Sequence, residues 1–418
     1  DALPIWGIKM KSLRAHNGNF IVGFGGFAIL QNMGFYMIAA VLMPQRLKDI
    51  GVTNPDALLG TISAAGAMIS LFVNVFVGSL SDRTRSRLGK RAPWYLIGSI
   101  VSALSFYSIG IPSTGTGILI AYCFANVGQN MMTAPVVAAI SDLVPEQNRG
   151  KVSAAYGGGI TIGQAFGTLL GSFLIFNTGV GFGFAAAFYL VASVIAFIFL
   201  PHNSYYETKE DNDESLLKIM VYSFTPPIKK ARDFWLAFVC RTCLIVAYQM
   251  VAAYQLYILE NYIGQSKLAS AGIISAMSII TMVVSFAATV VSGPFSDKIG
   301  RRKPPVIIAC LLYGIGIMMP LLFPSVMGML LFAGIAGLGY GMYMAVDQAL
   351  NIDVLPNKED AGKDLGFLNV ASCAGQAVGA GITSIIVTVT HGYVMVFPVA
   401  IIITLIAAIS VWKIRSVQ

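Results

Sequence analysis

Charged residues are scarce in this sequence. Only 11% of its 418 residues are charged, whereas 56% are hydrophobic and the mean hydropathy is +0.75. A soluble domain typically carries about 25% charged residues, so this chain has too few of them to cover the surface of a soluble enzyme. The composition therefore predicts an integral membrane protein.

The residue types that build metal and redox sites are also few. Five cysteines and three histidines are scattered along the chain, which predicts neither a disulfide framework nor a metal cluster. The sequence shows no nucleophile–base pair and no nucleotide-binding loop, so we expect no cofactor and no enzyme activity. The chain begins at Asp1 and shows no signal peptide, from which we expect a trimmed N-terminus.

Long apolar runs dominate what is present. A membrane-spanning helix needs roughly 20 mostly apolar residues, whereas the alternating strands of a membrane barrel are about ten residues long. We therefore predict an all-α membrane protein of twelve transmembrane helices in two pseudo-symmetric six-helix bundles. The N-terminal bundle covers 1–200, a polar cytoplasmic linker covers 201–232 and the C-terminal bundle covers 233–418. The spans lie near 19–43, 57–80, 93–111, 115–141, 152–176, 180–200, 233–259, 268–293, 304–323, 326–354, 364–388 and 391–412.

The basic residues indicate the orientation of the chain. If both termini are cytoplasmic, 23 of the 27 lysines and arginines lie on the inner side, as the positive-inside rule requires. The exceptions are Arg46, Lys48 and Lys267 on the outer side and Arg241 within the seventh span. Topology thus explains the net charge of +8, and we expect no nucleic-acid partner. We predict a multi-pass protein of the plasma (cell inner) membrane that contacts the lipid bilayer and is monomeric.

The second half of the chain repeats three motifs of the first half. The pairs are G-x-x-x-D-(R/K) at 78–83 and 293–298, an aspartate three residues before a proline at 142–145 and 353–356, and G-Q-A-x-G at 163–167 and 375–379. Three ordered repeats at offsets of 211 to 215 residues indicate a duplicated six-helix unit. Many secondary transporters, which rock two halves around a central site, have this architecture.

These motifs resemble those of the major facilitator superfamily, in which such a motif joins spans two and three. The longer first copy, D-R-T-R-S-R-x-G-x-x-x-P-W at 82–94, resembles the glycoside–cation symporter and sucrose-carrier branches. The resemblance implies a transporter that works by alternating access. The branch residues differ here: Ser70 and Asn74 stand where paired acids bind the cation, Leu30 where an acid binds sugar, and Val137 where sucrose carriers have Arg. We therefore do not expect sodium coupling.

Charged residues at the inner helix ends suggest a cytoplasmic gate. An aspartate there can pair with loop arginines and with a neighbouring helix N-terminus, and a terminal glycine permits close helix approach. Such pairs would hold one conformation closed and break in the other, although plain topology also explains single charges. The predicted gate residues are Gly78, Asp82, Arg83, Arg87, Arg91, Asp142, Arg149, Gly293, Asp297, Arg301, Arg302 and Asp353.

Polar and aromatic residues at helical spacing are the candidates for substrate binding. Isolated polar groups in lipid are costly, and tyrosine rings with amides suit a neutral, hydroxylated ligand. Hydrogen bonding between helices explains the same residues equally well. The candidates are Gln31, Asn32, Tyr36, Asn126, Gln129, Asn130, Tyr248, Gln249, Gln255, Tyr340 and Tyr343.

One carboxylate, Asp347, is predicted deep in the membrane. It lies about 9 Å further in than Asp353 at 1.5 Å per residue. It either carries a proton or forms a structural pair with a basic residue. Our leading hypothesis is a proton-coupled transporter of a small solute, most simply a sugar or glycoside. The alternatives are a proton-driven exporter of amphipathic compounds or drugs, and a membrane receptor that does not transport.

Overall fold

The computed structural model describes residues 4–200, 225–227, 231–355 and 361–416. Within these ranges some side chains lie outside the description, namely those of residues 4–19, 141, 146, 293, 294, 297, 348, 349, 352, 361–366 and 369. The described chain is almost entirely helical. Most of the linker predicted at 201–232 falls outside the described residues.

The first half forms six long helices. Helix α1 (Pro4–Met37) continues through a π-helical turn (Ile38–Leu42) into a short segment (Met43–Asp49). The others are α2 (Pro55–Arg83), α3 (Ala92–Ser108), α4 (Gly115–Leu143), α5 (Glu146–Phe173) and α6 (Thr178–Phe199).

The second half repeats this arrangement. Helix α7 (Arg232–Ala252) is followed by a short helix (Gln255–Tyr257) and a π-helical turn (Ile258–Tyr262). The others are α8 (Lys267–Ile299), α9 (Lys303–Leu322), α10 (Val326–Asp353), α11 (Ala361–Thr390) and α12 (Val396–Trp412). The described residues thus confirm the predicted all-α fold of twelve long helices. By length and composition, eight of the helices searched among them could each cross a membrane.

Local sequence explains where several helices begin. The side-chain oxygens of Asn54, Thr114 and Asn177 accept hydrogen bonds from backbone N–H groups three residues later. Such caps satisfy backbone donors that have no partner within the first turn of a helix. Prolines in the first turn of α2, α3 and α9 also favour a helix start at these positions. A backbone N–H in the first turn has no partner within the helix, so proline, which lacks this N–H, is tolerated there.

Glycines bring pairs of helices within each half close together. A Cβ added at Gly163 or Gly167 of α5 would lie 2.4 Å from the carbonyl oxygens of Ile29 or Met33 on α1. A Cβ at Gly379 of α11 would likewise lie 2.5 Å from the carbonyl oxygen of Val246 on α7. The repeated G-Q-A-x-G motif therefore makes equivalent backbone contacts in both halves. The halves meet where α2 packs on α11 and α5 packs on α8.

Candidate transport pathway

The repeated motifs build matching charge clusters at the inner helix ends. In the first half, Arg91 donates from Nε and Nη2 to Oδ2 of Asp142 at 3.0 and 2.7 Å, donates from Nη1 to Ser81, and pairs with Asp82. Lys90 also pairs with Asp142, at 3.1 Å.

In the second half, Nη1 of Arg302 donates to Oγ of Ser296 at 3.1 Å, and Nε lies 3.6 Å from Oδ2 of Asp353. These residues are the repeat equivalents of Arg91, Ser81 and Asp142. Each of these ion pairs joins residues of a single half. The role of these residues in a cytoplasmic gate therefore stays a prediction.

The other predicted gate residues differ in exposure and contacts. Arg83, Arg87 and Arg301 are exposed, and Nε of Arg149 donates to the carbonyl oxygen of Val144 at 3.1 Å. Close helix approach was expected at Gly78 but is not observed there among the described residues, none of which has an atom of a neighbouring helix within 4 Å of where the Cβ of residue 78 would be. The side chains of residues 293 and 297, which are Gly293 and Asp297, lie outside the description.

A polar network links α1, α4 and α6 inside the first half. Nε2 of Gln31 donates to Oγ1 of Thr133 at 2.8 Å and to the carbonyl oxygen of Gln129 at 3.3 Å. The hydroxyl of Tyr189 donates to Oε1 of Gln129 at 3.0 Å. Gln31 is buried, so this predicted site residue is held by neighbouring helices.

A second network joins α2 to α4. Oγ of Ser70 donates to Oδ1 of Asn126 at 3.2 Å and accepts from Nδ2 of Asn130 at 2.9 Å. Nδ2 of Asn74 lies 3.4 Å from Oδ1 of Asn130. The two positions that carry acids in the resembling symporters thus contact two predicted substrate residues here. Because both asparagines are buried, part of their hydrogen-bonding capacity holds the helices together.

A pair of stacked tyrosines in the second half contacts the first half midway along the helices. The Tyr340 ring, 14 residues after Val326 and 13 before Asp353, stacks on the Tyr248 ring with centroids 4.6 Å apart and planes at 18°. Nε2 of Gln164, on α5 of the other half, donates to the Tyr248 hydroxyl. Tyr36 of α1 is partly buried, and its ring lies edge-on to the Phe35 ring with centroids 5.2 Å apart. The contact of Gln164 with Tyr248 therefore joins the two halves.

The predicted intramembrane acid forms an ion pair. Oδ2 of Asp347 lies 2.7 Å from Nη1 of Arg241 and accepts from Nδ2 of Asn351 at 3.0 Å. Nε of Arg241 donates to Oγ of Ser372 on α11 at 2.8 Å. The side chains of Asp347 and Arg241 are 7% and 16% exposed. The pair thus connects α7, α10 and α11 beneath the tyrosine cluster.

The remaining predicted residues lie around these clusters. Nδ2 of Asn32 donates to the carbonyl oxygen of Ala28 in its own helix at 2.9 Å. Gln249 and Gln255 are partly exposed, and Tyr343 is buried one turn before Asp347 on α10.

Contacts between the halves close the outer end of the molecule. Lys48 forms an ion pair with Glu260, and its Nζ also lies 4.6 Å from the centroid of the Tyr257 ring. The Tyr257 hydroxyl donates to the carbonyl oxygen of Pro44 at 2.7 Å. A weaker pair joins Lys267 to Asp49 at 3.9 Å.

A second group of outer contacts surrounds Asp56. The Tyr254 hydroxyl donates to the backbone carbonyl oxygen of Asp56 at 3.0 Å, and the Tyr393 hydroxyl donates to the Asp56 carboxylate. Burial and the nearby Asp56 carboxylate raise the pKa of the Tyr393 hydroxyl, so it remains a donor at neutral pH. We define the outer closure as Lys48, Asp56, Tyr254, Tyr257, Glu260 and Tyr393.

Sequence reasoning did not assign several of these residues. Arg241, Lys48 and Lys267 appeared only as exceptions to the positive-inside distribution, and the structure gives each an acidic partner. For Arg241 the available signal was a charge within a predicted span, because such a charge is costly unless it is paired. Lys48 and Lys267 stood out only as two of the few cations on the outer side. Gln164 stood in a repeated motif that was interpreted only as a sign of duplication.

Comparisons with known proteins agree with this architecture. The family profile described as Major Facilitator Superfamily matches residues 24–287 and 243–417. The chain is 26% identical over 385 residues to an uncharacterized MFS-type transporter of Methanocaldococcus jannaschii, covering 90% of this chain and 87% of the relative. It is 22% identical over 398 residues to the glucuronide carrier protein homolog of Escherichia coli, covering 90% and 84%.

A shorter match reaches the sucrose transport protein SUC4 of Arabidopsis thaliana, with 26% identity over 166 residues, 34% of this chain and 32% of the relative. Among solved structures, the nucleoside transporter NupG superposes with a TM-score of 0.75 at 12% identity over 94% of this chain and 99% of that chain. This likeness concerns the fold alone. The chain is a multi-pass membrane transporter of small solutes, and it belongs to the Major Facilitator Superfamily.

Proposed function

We propose that this protein transports a sugar or glycoside together with protons and that Asp347 carries the proton. The observation that carries the proposal is the buried Arg241–Asp347 ion pair below the tyrosines of the central cluster. A pair of this kind responds directly to protonation, because neutralising the carboxylate removes the partner of a buried arginine.

The energetics of the pair favour a coupling role. Removing one member of a buried ion pair typically costs 3–5 kcal/mol, because the remaining charge is uncompensated. Protonation of Asp347 would therefore favour rearrangement around Arg241, which contacts α11 through Ser372 as well as α10 through Asp347. Because α11 packs on α2 of the other half, such a rearrangement would act on the interface between the halves.

Two features support a sugar or glycoside as the substrate. The stacked Tyr248 and Tyr340 rings and the adjoining Gln164 amide provide apolar faces beside hydrogen-bonding groups, a combination suited to a neutral polyhydroxylated ligand. The names of two relatives, a sucrose transport protein and a glucuronide carrier protein homolog, belong to this substrate class.

A thermal-shift screen of the purified protein tests the substrate class. A ligand that binds the folded state raises its apparent stability by mass action. We expect the melting temperature to rise with one of three ligand groups, namely monosaccharides, disaccharides or glycosides. The same ligand should raise the melting temperature less in the Tyr340→Ala variant. Shifts only with hydrophobic cations would reject the sugar hypothesis and favour an exporter of amphipathic compounds. If vesicles containing the protein showed no transport of any ligand that shifts it, a receptor would be favoured.

A further inference from the structure

A groove lies at the inner end of the second half, and one predicted gate residue, Arg301, is part of its lining. It has a volume of about 520 Å³ and lies between the start of α9 and the end of α12. Its described lining consists of Arg301, Lys303, Pro304, Ile307, Ile308 and Trp412. Two cations thus stand at one end of an otherwise largely apolar groove, and its described lining includes no carboxylate.

The two cations differ from their neighbour Arg302 in what they contact. Their neighbour Arg302 contacts Ser296 and Asp353, whereas Arg301 is exposed and lines the groove. Nζ of Lys303 donates to the carbonyl oxygen of Ile414 at 2.7 Å, which holds the end of α12 beside the start of α9. An ammonium group has three N–H donors, so Lys303 retains capacity for an anionic ligand.

The apolar lining extends from the cations along the helices. Ile308 is 47% exposed and Trp412 is 70% exposed. Tryptophan is enriched where a membrane meets water. Ile308 lies within two turns of the start of α9, and Trp412 is the last residue of α12. The groove therefore offers charge at the level of lipid headgroups and apolar surface at the level of acyl chains.

We propose that this groove binds an anionic phospholipid of the inner leaflet. Its phosphate contacts Arg301 and Lys303, and an acyl chain lies along Ile307 and Ile308 beside Trp412. Basic pockets between transmembrane helices on the cytoplasmic side bind anionic headgroups in this manner. A free phosphate would satisfy the cations but would leave the apolar part of the groove unused.

Native mass spectrometry of the full chain with dioleoyl phosphatidylglycerol tests the proposal. We expect the Arg301→Ala/Lys303→Ala variant to bind this lipid about tenfold more weakly or worse, with binding of phosphatidylcholine unchanged. The matched control is Arg85→Ala/Lys151→Ala, which removes two exposed cations from the inner end of the first half and should retain wild-type binding. Equal loss in both variants would reject the groove in favour of a general effect of charge.

Two further measurements do not depend on the folding of that variant. Brominated phosphatidylglycerol should quench the fluorescence of wild-type protein more than brominated phosphatidylcholine does at the same mole fraction, and Trp412→Phe should remove this difference. An undiminished difference in Trp412→Phe would place the lipid elsewhere. Inorganic phosphate at millimolar concentration should not displace phosphatidylglycerol, and complete displacement would assign the groove to free phosphate.

Discussion

Arg241 and Asp347 illustrate how much of the candidate site could be predicted from individual residues in the sequence. Sequence predicted Asp347 as a deep carboxylate and noted Arg241 as a cation within the seventh span. It did not predict their pairing, because the two residues lie 106 positions apart on helices whose relative rotation no local pattern specifies. The sequence allowed two roles for Asp347, that of a proton carrier and that of a structural partner of a basic residue. The pair is observed, and the proton role stays a prediction.

Replacing Asp347 by asparagine tests that role. Asp347→Asn keeps the size of the side chain and cannot exchange a proton, so we expect loss of uphill accumulation driven by a pH gradient, with substrate exchange at equal concentrations retained. Uptake of labelled substrate by proteoliposomes measures both. Asp233→Asn is the matched control, since Asp233 accepts backbone N–H groups of the chain end and lies outside the pathway. Intact gradient-driven accumulation in Asp347→Asn would exclude proton carriage.

The stacked tyrosines allow a test of substrate contact at the same scale. Tyr340→Phe keeps the ring that stacks on Tyr248, whereas Tyr340→Ala removes it. If sugars stack on this ring, we expect Tyr340→Ala to weaken binding by about tenfold, the equivalent of roughly 1.4 kcal/mol, and Tyr340→Phe to weaken it less. Competition binding to purified protein provides the measurement. Equal affinities for wild type and Tyr340→Ala would remove Tyr340 from the binding site.

At the scale of elements, helix existence was predictable and lateral packing only partly so. The length of an apolar run and capping residues such as Asn54 and Asn177 determine a helix locally. These signals can therefore be recognised in the sequence without knowledge of the fold. The Asn126 and Asn130 stripe on α4 was also visible, yet its contact with Ser70 and Asn74 depends on how α2 and α4 are rotated against each other. Similarly, Gly78 matches a family motif, yet the described residues leave open space where its Cβ would be. A sequence motif does not specify which helix packs against it.

The glycine contacts between α1 and α5 predict a difference in stability. In Gly167→Ala the added methyl group would lie 2.4 Å from the carbonyl oxygen of Met33, so we expect destabilisation by about 1–3 kcal/mol from overpacking. Gly157→Ala on the same helix is the matched control, since no neighbouring atom lies within 4 Å of its added methyl group. Thermal unfolding in detergent measures both variants. Equal melting temperatures for the two would contradict the close packing of α5 on α1.

At the scale of the whole molecule, the repeat in the sequence predicted two matching halves, and their inner charge clusters do match. The relative placement of the halves could not be predicted, because the outer closure consists of contacts between residues such as Lys48 and Glu260 that are 212 positions apart. Each of these residues by itself is compatible with either an open or a closed outer end. Alternating access requires such contacts to break during each transport cycle.

Charge exchange across the outer closure tests its role. Lys48→Glu and Glu260→Lys each place like charges together, so each should favour opening of the outer end. Opening should increase the labelling of a cysteine introduced at Ser384, a buried residue on α11. Combining them restores opposite charges, and labelling should return towards the wild-type level. Additive increases in the double variant would show that the pair does not hold the outer end closed.

The most direct test of the account is proton movement caused by the substrate. In proteoliposomes without an imposed gradient, addition of the sugar or glycoside that stabilises the protein should make a pH dye in the external medium report alkalinisation. The signal should disappear in Asp347→Asn and persist in Asp233→Asn. Substrate entry with no change in external pH would contradict proton coupling through the Arg241–Asp347 pair.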